Sequence, residues 1–390
     1  MTPGARAAAA IDALDAWLYG EPAPRALLRW GRGARYAGSG DRAAVADLVY
    51  DGLRRLRSSA TLGGAMTGRG VMIGLLGEAA RELFGAGPHA PAALSAEESA
   101  RLAAPPPLTR AERLDVPDWL LPRFDAALGK RADDVLKAMR HRAPVHLRVN
   151  RAREDREGAI ESLRSEGIDA VPHPLSPSAL EVVSGARRVA GSAAYKSGLV
   201  ELQDAASQAV ADLVPASAGL RVLDYCAGGG GKALALAARG ADVHAHDAEP
   251  RRMADLAARA ARAGARIAIL STAEVEDLPP WPVVLVDAPC SGSGSWRRDP
   301  GGKWRLTEER LHALTVLQEE ILVRAAALVA PGGCLVYATC SMLREENASR
   351  IEGFRKSHPD WCTKDTLRLS TLDGGDGFGA ESLIAPSSIP

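Results

Sequence analysis

The chain has 390 residues, sets 48 Lys and Arg against 48 Asp and Glu, and is 46% hydrophobic. That composition excludes a polar disordered chain and a globally basic nucleic-acid scaffold, so any electrostatic footprint must be local. The length allows two or three domains.

The five cysteines are odd in number and show no CxxC spacing, which argues against a disulfide framework and for a reducing cytoplasm. Met1 to Ala10 lack the charged-then-apolar order of a secretory signal, and no stretch approaches the roughly 18 to 20 apolar residues that span a bilayer. A cytoplasmic protein without a membrane partner is expected.

Residues 1–105 read as helical. After Asp41, taken as an N-cap, Val45, Leu48, Val49, Leu53 and Leu56 repeat at helical spacing, and Val71, Leu75 and Leu76 continue the pattern up to the Gly85-Ala86-Gly87-Pro88 break. Residues 95–107 end in three prolines and read as a linker. Residues 111–124, with Pro117 and Trp119, suggest a short docking helix. Residues 131–200 read as a small α+β domain: a helix over 132–140, a strand over 145–149, a helix over 156–166 and short strands around 180–183. Between Lys137 and Arg153 stand Lys137, Arg140, Arg142, Arg148, Arg151 and Arg153 without an acid. The run could seat phosphates, or be a solvated helix end and loop.

From Asp204 onward short apolar runs at 221–225, 243–247, 267–270, 283–287 and 334–338 alternate with helical stretches. That order implies a parallel sheet covered by helices on both faces. The expected domains are thus 1–105, 106–203 and 204–390.

Three motifs fall at strand ends. In Val222-Leu223-Asp224-Tyr225-Cys226-Ala227-Gly228-Gly229-Gly230-Gly231-Lys232 a strand feeds a glycine run that opens a helix. Cys226 and Ala233 break the Walker pattern, and Ala233 stands where a dinucleotide fingerprint needs its last glycine. An adenosyl cofactor remains, and Asp247 at the next strand end can bond both ribose hydroxyls. The second motif, Asp287-Ala288-Pro289-Cys290-Ser291-Gly292, and the third, Tyr337-Ala338-Thr339-Cys340-Ser341, both end strands and so face the same ligand edge. Cys334, at the start of its strand, reads as core.

Chemistry links the two cysteines. Carbon 5 of cytosine is a poor nucleophile until a thiolate adds to carbon 6. An acid near ring nitrogen 3 steadies the adduct, and a second thiol can assist release. Cys340, Asp287 and Cys290 fill such a scheme, although spacing does not say which cysteine attacks.

These residues resemble the RsmB-like, Sun-type RNA cytosine methyltransferases. The likeness rests on Cys226 to Lys232, Asp287 to Gly292 and Thr339-Cys340-Ser341, with Leu202 to Gln208 and Trp296-Arg297-Arg298-Asp299-Pro300 through Trp304-Arg305 beside them. It implies a Rossmann-like class I methyltransferase domain, a small α+β RNA-binding domain and a helical NusB-like N-terminal domain. It implies S-adenosylmethionine as cofactor, held by Cys226, Ala227, Gly228, Gly229, Gly230, Gly231, Lys232, Asp247, Thr272 and Asp287. Cys340 would be the nucleophile, Cys290 the residue that aids release, and Lys232 would order the cofactor's methionine end or the catalytic acid, Asp287. The implied partner is RNA, ribosomal rather than transfer RNA, gripped by the basic run together with Arg297, Arg298, Lys303 and Arg305. No metal is implied, and a monomer is the default.

Three departures from the pattern stand out. The glycine loop reads Ala227-Gly228-Gly229-Gly230-Gly231-Lys232 where the family usually has an Ala-Pro-Gly-Gly-Lys pattern. Ser271 and Thr272 stand where an aspartate meets the adenine amine, leaving a carbonyl or hydroxyl for that task. The tail Asp376-Gly377-Phe378-Gly379 lacks a second aromatic, so the last strand is expected to pack poorly. Two other readings stay open: a DNA cytosine methyltransferase with Cys290 attacking, and a silent RNA-binding assembly factor.

Overall fold

The computed structural model describes residues 1–387. Two compact units emerge: Met1–Arg142 together with Trp296–Arg305, and the chain from Ala143 to Ser295 together with everything from Leu306.

The first unit is helical. Helices Pro3–Leu18, Ala23–Gly33, Ser39–Arg54, Leu56–Gly63 and Gly68–Leu76 surround Leu14, Val45, Val49, Leu53, Met72 and Ile73. Glycine lets two of them touch: a Cβ on Gly63 would meet the Gly70 carbonyl at 1.8 Å, and one on Gly74 the Ser59 carbonyl at 1.9 Å. The N-cap of Ser39–Arg54 is Gly38, and Asp41 sits in its first turn, bonding back to the Gly38 N–H and to the Met1 ammonium. The expected linker at 95–107 is partly helix, because Ser95 and Glu98 form a reciprocal cap on Ala96–Ala103. Pro117 divides the expected docking helix into Arg110–Arg113, a 3₁₀ turn at Asp118–Leu120, and Leu121–Leu128.

The segment Trp296–Arg305 belongs to this unit through specific contacts. Trp296 meets Phe124 edge-on at 6.1 Å, Trp304 Nε1 donates to the Leu53 carbonyl at 2.7 Å, and the Arg54 guanidinium donates to the Arg297 carbonyl at 2.9 Å. Lys303 is 2% exposed, and burial pulls its pKa down to about 8. Arg297 and Lys303 are therefore buried, not spread along a surface as the sequence suggested.

The second unit contains two sheets. The smaller has antiparallel strands β1 (Val145–Val149), β2 (Asp169–Pro172), β3 (Ala179–Ser184) and β4 (Val200–Leu202) in the order β2-β3-β1-β4. Strands β2 and β4, of four and three residues, are too short to leave a periodic signal. The larger sheet uses β5 (Arg221–Asp224), β6 (Asp242–Ala245), β7 (Ile267–Ile269), β8 (Trp281–Asp287), β9 (Val329–Thr339), β10 (Cys362–Leu369) and β11 (Phe378–Ile384). Their order is β10-β11-β9-β8-β5-β6-β7. Strands β5 to β9 are parallel, but β11 pairs antiparallel with β9 and β10 with β11, so the sheet is mixed.

Alternation along β8 sends Val284 and Val286 into one core and Val283 and Leu285 into the other. That is how helices cover both faces. Strand β11 packs well despite its single aromatic: Phe378 to Leu383 are all buried, and a Cβ at Gly379 would meet Asn347 Oδ1 at 2.1 Å.

The basic run is broken by this architecture. Lys137 pairs with Asp134, Arg140 with Asp115 and Arg142 with Asp47, all in the first unit. In the second, Arg148 is buried and donates to the Gln203 side chain and, at 2.6 Å, to the Gly231 carbonyl. Burial pulls the Arg148 guanidinium down to about 10, which leaves it charged at neutral pH. Neighbours in sequence thus serve two different units, and the phosphate seat expected from 137–153 does not form as one patch.

Candidate active site

Strand β5 ends at Asp224, and the glycine loop turns the chain into helix Gly231–Ala237. Gly228 and Gly230 take φ of 51° and 78°, the left-handed region that favours glycine. A Cβ on Gly230 would meet Leu256 Cδ1 at 2.1 Å, so the loop can lie flat only without side chains. Asp247 follows β6 and holds the loop: one oxygen accepts from the Gly228 N–H at 3.0 Å, the other from the Glu249 N–H at 2.9 Å.

Cys226 is only partly exposed, and burial pushes its thiol well up, so it acts as a small packed group. Tyr225 stacks on His246 with centroids 4.7 Å apart. His246 Nδ1 is 2.8 Å from the Tyr225 carbonyl and must donate to it, which leaves Nε2 to accept from the Thr272 hydroxyl at 2.9 Å. Ser271 caps helix Thr272–Asp277 through Glu274. Both hydroxyls expected near the adenine therefore already have partners inside the protein.

At the carboxyl ends of β8 and β9 the expected residues converge. Lys232 Nζ donates to Asp287 Oδ2 at 2.7 Å. Burial alone would pull the Lys232 ammonium down, but Asp287, with Asp224 and Cys340 nearby, more than reverses this and holds it up. Cys290 Sγ and Cys340 Sγ lie 3.3 Å apart. The hydrogen bond to Cys340, reinforced by burial, pushes the Cys290 thiol well up.

Side chains the sequence did not single out fix that sulfur pair. Glu346, fully buried, accepts from the Ser291 N–H at 2.8 Å and the Ser291 hydroxyl at 2.5 Å. Gln318 Nε2 donates to the Pro289 carbonyl at 2.8 Å and to Glu346 at 3.0 Å. The next residue, Asn347, holds the other loop: its Nδ2 donates to the Ser341 and Leu343 carbonyls, and its Oδ1 accepts from Thr339. Adjacent residues thus clamp the Cys290 and Cys340 loops.

Asp224 also escaped notice, though it lies inside the glycine motif. Both its oxygens are buried without a hydrogen-bond partner, and burial, with Asp287 adding, pushes its pKa up to about 7. The folded protein then keeps a proton that the unfolded chain releases near pH 4. Asp224 therefore subtracts stability progressively as pH rises from about 4 to about 7. Urea unfolding at pH 5 and pH 8 is expected to show Asp224→Asn gaining on the unaltered chain mainly at pH 8; an equal difference at both would contradict it.

In the small sheet, His146, His173 and Glu181 bring ligand atoms within 4.8 Å of one another. His146 Nδ1 lies 2.9 Å from Asp204 Oδ2, and His173 Nδ1 accepts from the Leu175 N–H at 3.3 Å. The His146 bond ties β1 to the cap of helix Ala205–Leu213, and no metal is assigned to the cluster.

A glycine turn after the first parallel strand, an acid at the end of the second and a mixed seven-stranded sheet define a class I methyltransferase fold. Residues 212–386 match the family described as 16S rRNA methyltransferase RsmB/F, and residues 116–188 match the ferredoxin-like domain of RsmF/B-like methyltransferases. Ribosomal RNA small subunit methyltransferase B of Salmonella arizonae is 34% identical over 284 residues, 69% of this chain and 66% of that protein. The same-named protein of Xylella fastidiosa is 35% identical over 288 residues, 69% and 68% of the two chains.

Among solved structures, PH0851 superposes with a TM-score of 0.77 at 23% identity, covering 98% of this chain and 99% of that one. NSun6 from Pyrococcus horikoshii with SFG gives 0.61 at 16% identity, covering 70% and 99%. Both show the shared fold. The chain belongs to the RsmB/F family of S-adenosylmethionine-dependent 16S rRNA methyltransferases. Its match spans 66% and 64% of the first two relatives' length.

Proposed function

We propose that the chain transfers the methyl group of S-adenosylmethionine to carbon 5 of a cytosine in RNA, ribosomal RNA in preference to transfer RNA. The observation that carries this reading is the pair of thiols 3.3 Å apart beside the Lys232–Asp287 ion pair. A purely structural protein has no need of two half-buried thiols and a buried cation at one sheet edge.

The residues present fit the cofactor. Gly228 to Gly231 offer backbone at close range, with Cys226 and Ala227 leading in. Asp247 suits ribose hydroxyls, and the orphaned Asp224 carboxylate, like Lys232, suits the charged methionine end. Thr272 is the remaining candidate at the adenine. Bound there, S-adenosylmethionine supplies an electrophilic methyl group.

The protein's own residues prepare the base. Cys340, as thiolate, forms a bond to carbon 6 while the ring's double-bond pair moves toward nitrogen 3, which takes a proton from the Asp287–Lys232 pair. Carbon 5 then bonds the methyl group, whose bond to the sulfonium sulfur breaks with its electron pair left on the departing thioether. Loss of the proton on carbon 5 to a base restores the ring double bond and breaks the sulfur–carbon bond, returning that pair to Cys340. Cys290, held as a thiol against Cys340, assists that release.

Residues 1–105 would guide RNA as a NusB-like domain, 106–203 would add a second RNA-binding part, and 204–390 would carry the chemistry, the whole acting as a monomer. Its setting would be the cytoplasm, consistent with five free cysteines and with the absence, among the described residues, of a helix able to cross a membrane. Calorimetric titration with S-adenosylmethionine is expected to show one site, and bisulfite sequencing of cellular RNA with and without the gene should lose a methylated cytosine. Absence of cofactor binding would refute the reading.

A further inference from the structure

The helical unit carries a cavity that the methyl-transfer chemistry leaves unused. It encloses about 1000 Å³ beside helices Pro3–Leu18 and Ala23–Gly33, lined by Ala8, Asp12, Arg29, Trp30, Tyr36 and His89 among others. That is the upper size of sites for small organic groups. Its floor is made of small alanines, while Trp30 and Tyr36 supply flat aromatic walls.

Tyr36 is 75% exposed, which is unusual for a large ring with nothing to cover it. Asp12 makes no hydrogen bond or ion pair among the described residues, although partial burial raises its pKa. Arg29 lines the cavity, and the stretch from Pro22 to Gly40 that carries it holds Arg25, Arg29, Arg32 and Arg35 without an acid. Arg29 is held by Glu21 in an open ion pair at 2.8 Å, the kind that contributes little and exchanges readily for a phosphate.

Aromatic walls, an arginine-bearing edge and an available acceptor together describe one ligand chemistry. A base stacks on aromatics, phosphates meet arginines, and a carboxylate accepts from an exocyclic amine. A base inside a duplex cannot enter, because its faces and pairing edge are already occupied.

We propose that this cavity seats an unstacked, amine-bearing base of single-stranded RNA, with arginines of Ala23–Gly33 and Arg35 on the flanking phosphates and Asp12 on the amine. Cytosine, adenine and guanine carry such an amine; uracil does not. The site rests on the RNA-methyltransferase reading and adds to it a second contact point, within the helical unit, for the strand being modified.

The test uses the full chain and short labelled strands of oligo(C), oligo(A) and oligo(U), read by fluorescence anisotropy. Oligo(C) and oligo(A) should bind more tightly than oligo(U), and all should weaken steeply between about 50 and 200 mM salt. Tyr36→Ala should weaken oligo(C) by about 5- to 100-fold, the loss expected from one stacked base. Asp12→Ala should remove the preference over oligo(U). Ultraviolet cross-links should fall on the peptide holding Trp30 and Tyr36.

Tyr36 is exposed, so its truncation should leave thermal unfolding unchanged, and cofactor affinity serves as the second control. If Tyr36→Ala binds every strand as the unaltered chain does, or cross-links fall only elsewhere, the cavity assignment is overturned while methyl transfer stands. If the unaltered chain methylates no RNA yet shows this binding pattern, the catalytic reading fails and the cavity stands.

Discussion

Cys340→Ala is expected to abolish methyl transfer, by about 10⁴-fold or more, whereas Cys290→Ala is expected to accumulate a covalent RNA–protein adduct. The asymmetry follows from the local physics. Cys290 is pushed well up and sits as a thiol against its neighbour, whereas Cys340 shares its surroundings with the Lys232 ammonium. Removing Cys340 removes the only bond to carbon 6. Removing Cys290 leaves that bond able to form and hinders only its breaking. Denaturing electrophoresis with labelled RNA reads the adduct directly. An adduct trapped by Cys340→Ala would reverse the two roles, and one trapped by neither would remove the covalent route.

The second large effect is expected at Lys232. Lys232→Met keeps most of the side chain's volume but leaves the buried Asp224 and the half-buried Asp287 as neighbouring acids without their cation. Breaking a fully buried pair destabilises by about 3 to 5 kcal/mol, and solvent access at Asp287 sets the expected loss below that range. Turnover should fall as well, by about 10² to 10⁴, because proton supply at nitrogen 3 is lost. The stability loss should be largest at neutral pH and shrink toward pH 4. Protonation of the orphaned acids removes the uncompensated charge, and at low pH only the lost packing remains. Urea unfolding across that range checks the sign, and a constant loss would show that the ammonium does not serve as their countercharge. Lys232→Arg restores charge but not the single-point geometry, so it should recover stability more than turnover.

Much of this site could be read from the chain because its parts sit at strand ends. The glycine loop, Asp247, Asp287, Cys290 and Cys340 each follow an apolar run, and a parallel sheet gathers such positions at one edge. What escaped was tertiary. Glu346 and Asn347 form no pattern with Cys290, which lies more than fifty residues earlier, and only the folded loops bring Ser291 against Glu346. Arg148 looked like a phosphate ligand because its charge is visible in sequence, while its burial over the Gly231 carbonyl is not. Strand β10 was missed for a local reason: it is largely exposed, with little apolar signal.

The division of the chain also bears on how the protein can be cut. The helical unit is discontinuous, because Trp296–Arg305 returns to it from within the catalytic half. A fragment beginning after Arg142 would keep Trp296, Trp304 and Lys303 but discard Phe124, Leu53 and Arg54, which meet them. Two indoles and an amine built for an interior would face water only a few residues past Cys290. The apparent modules are thus sewn together: a severed catalytic fragment should be sticky, and the helical part expressed alone should lack a piece of its own wall.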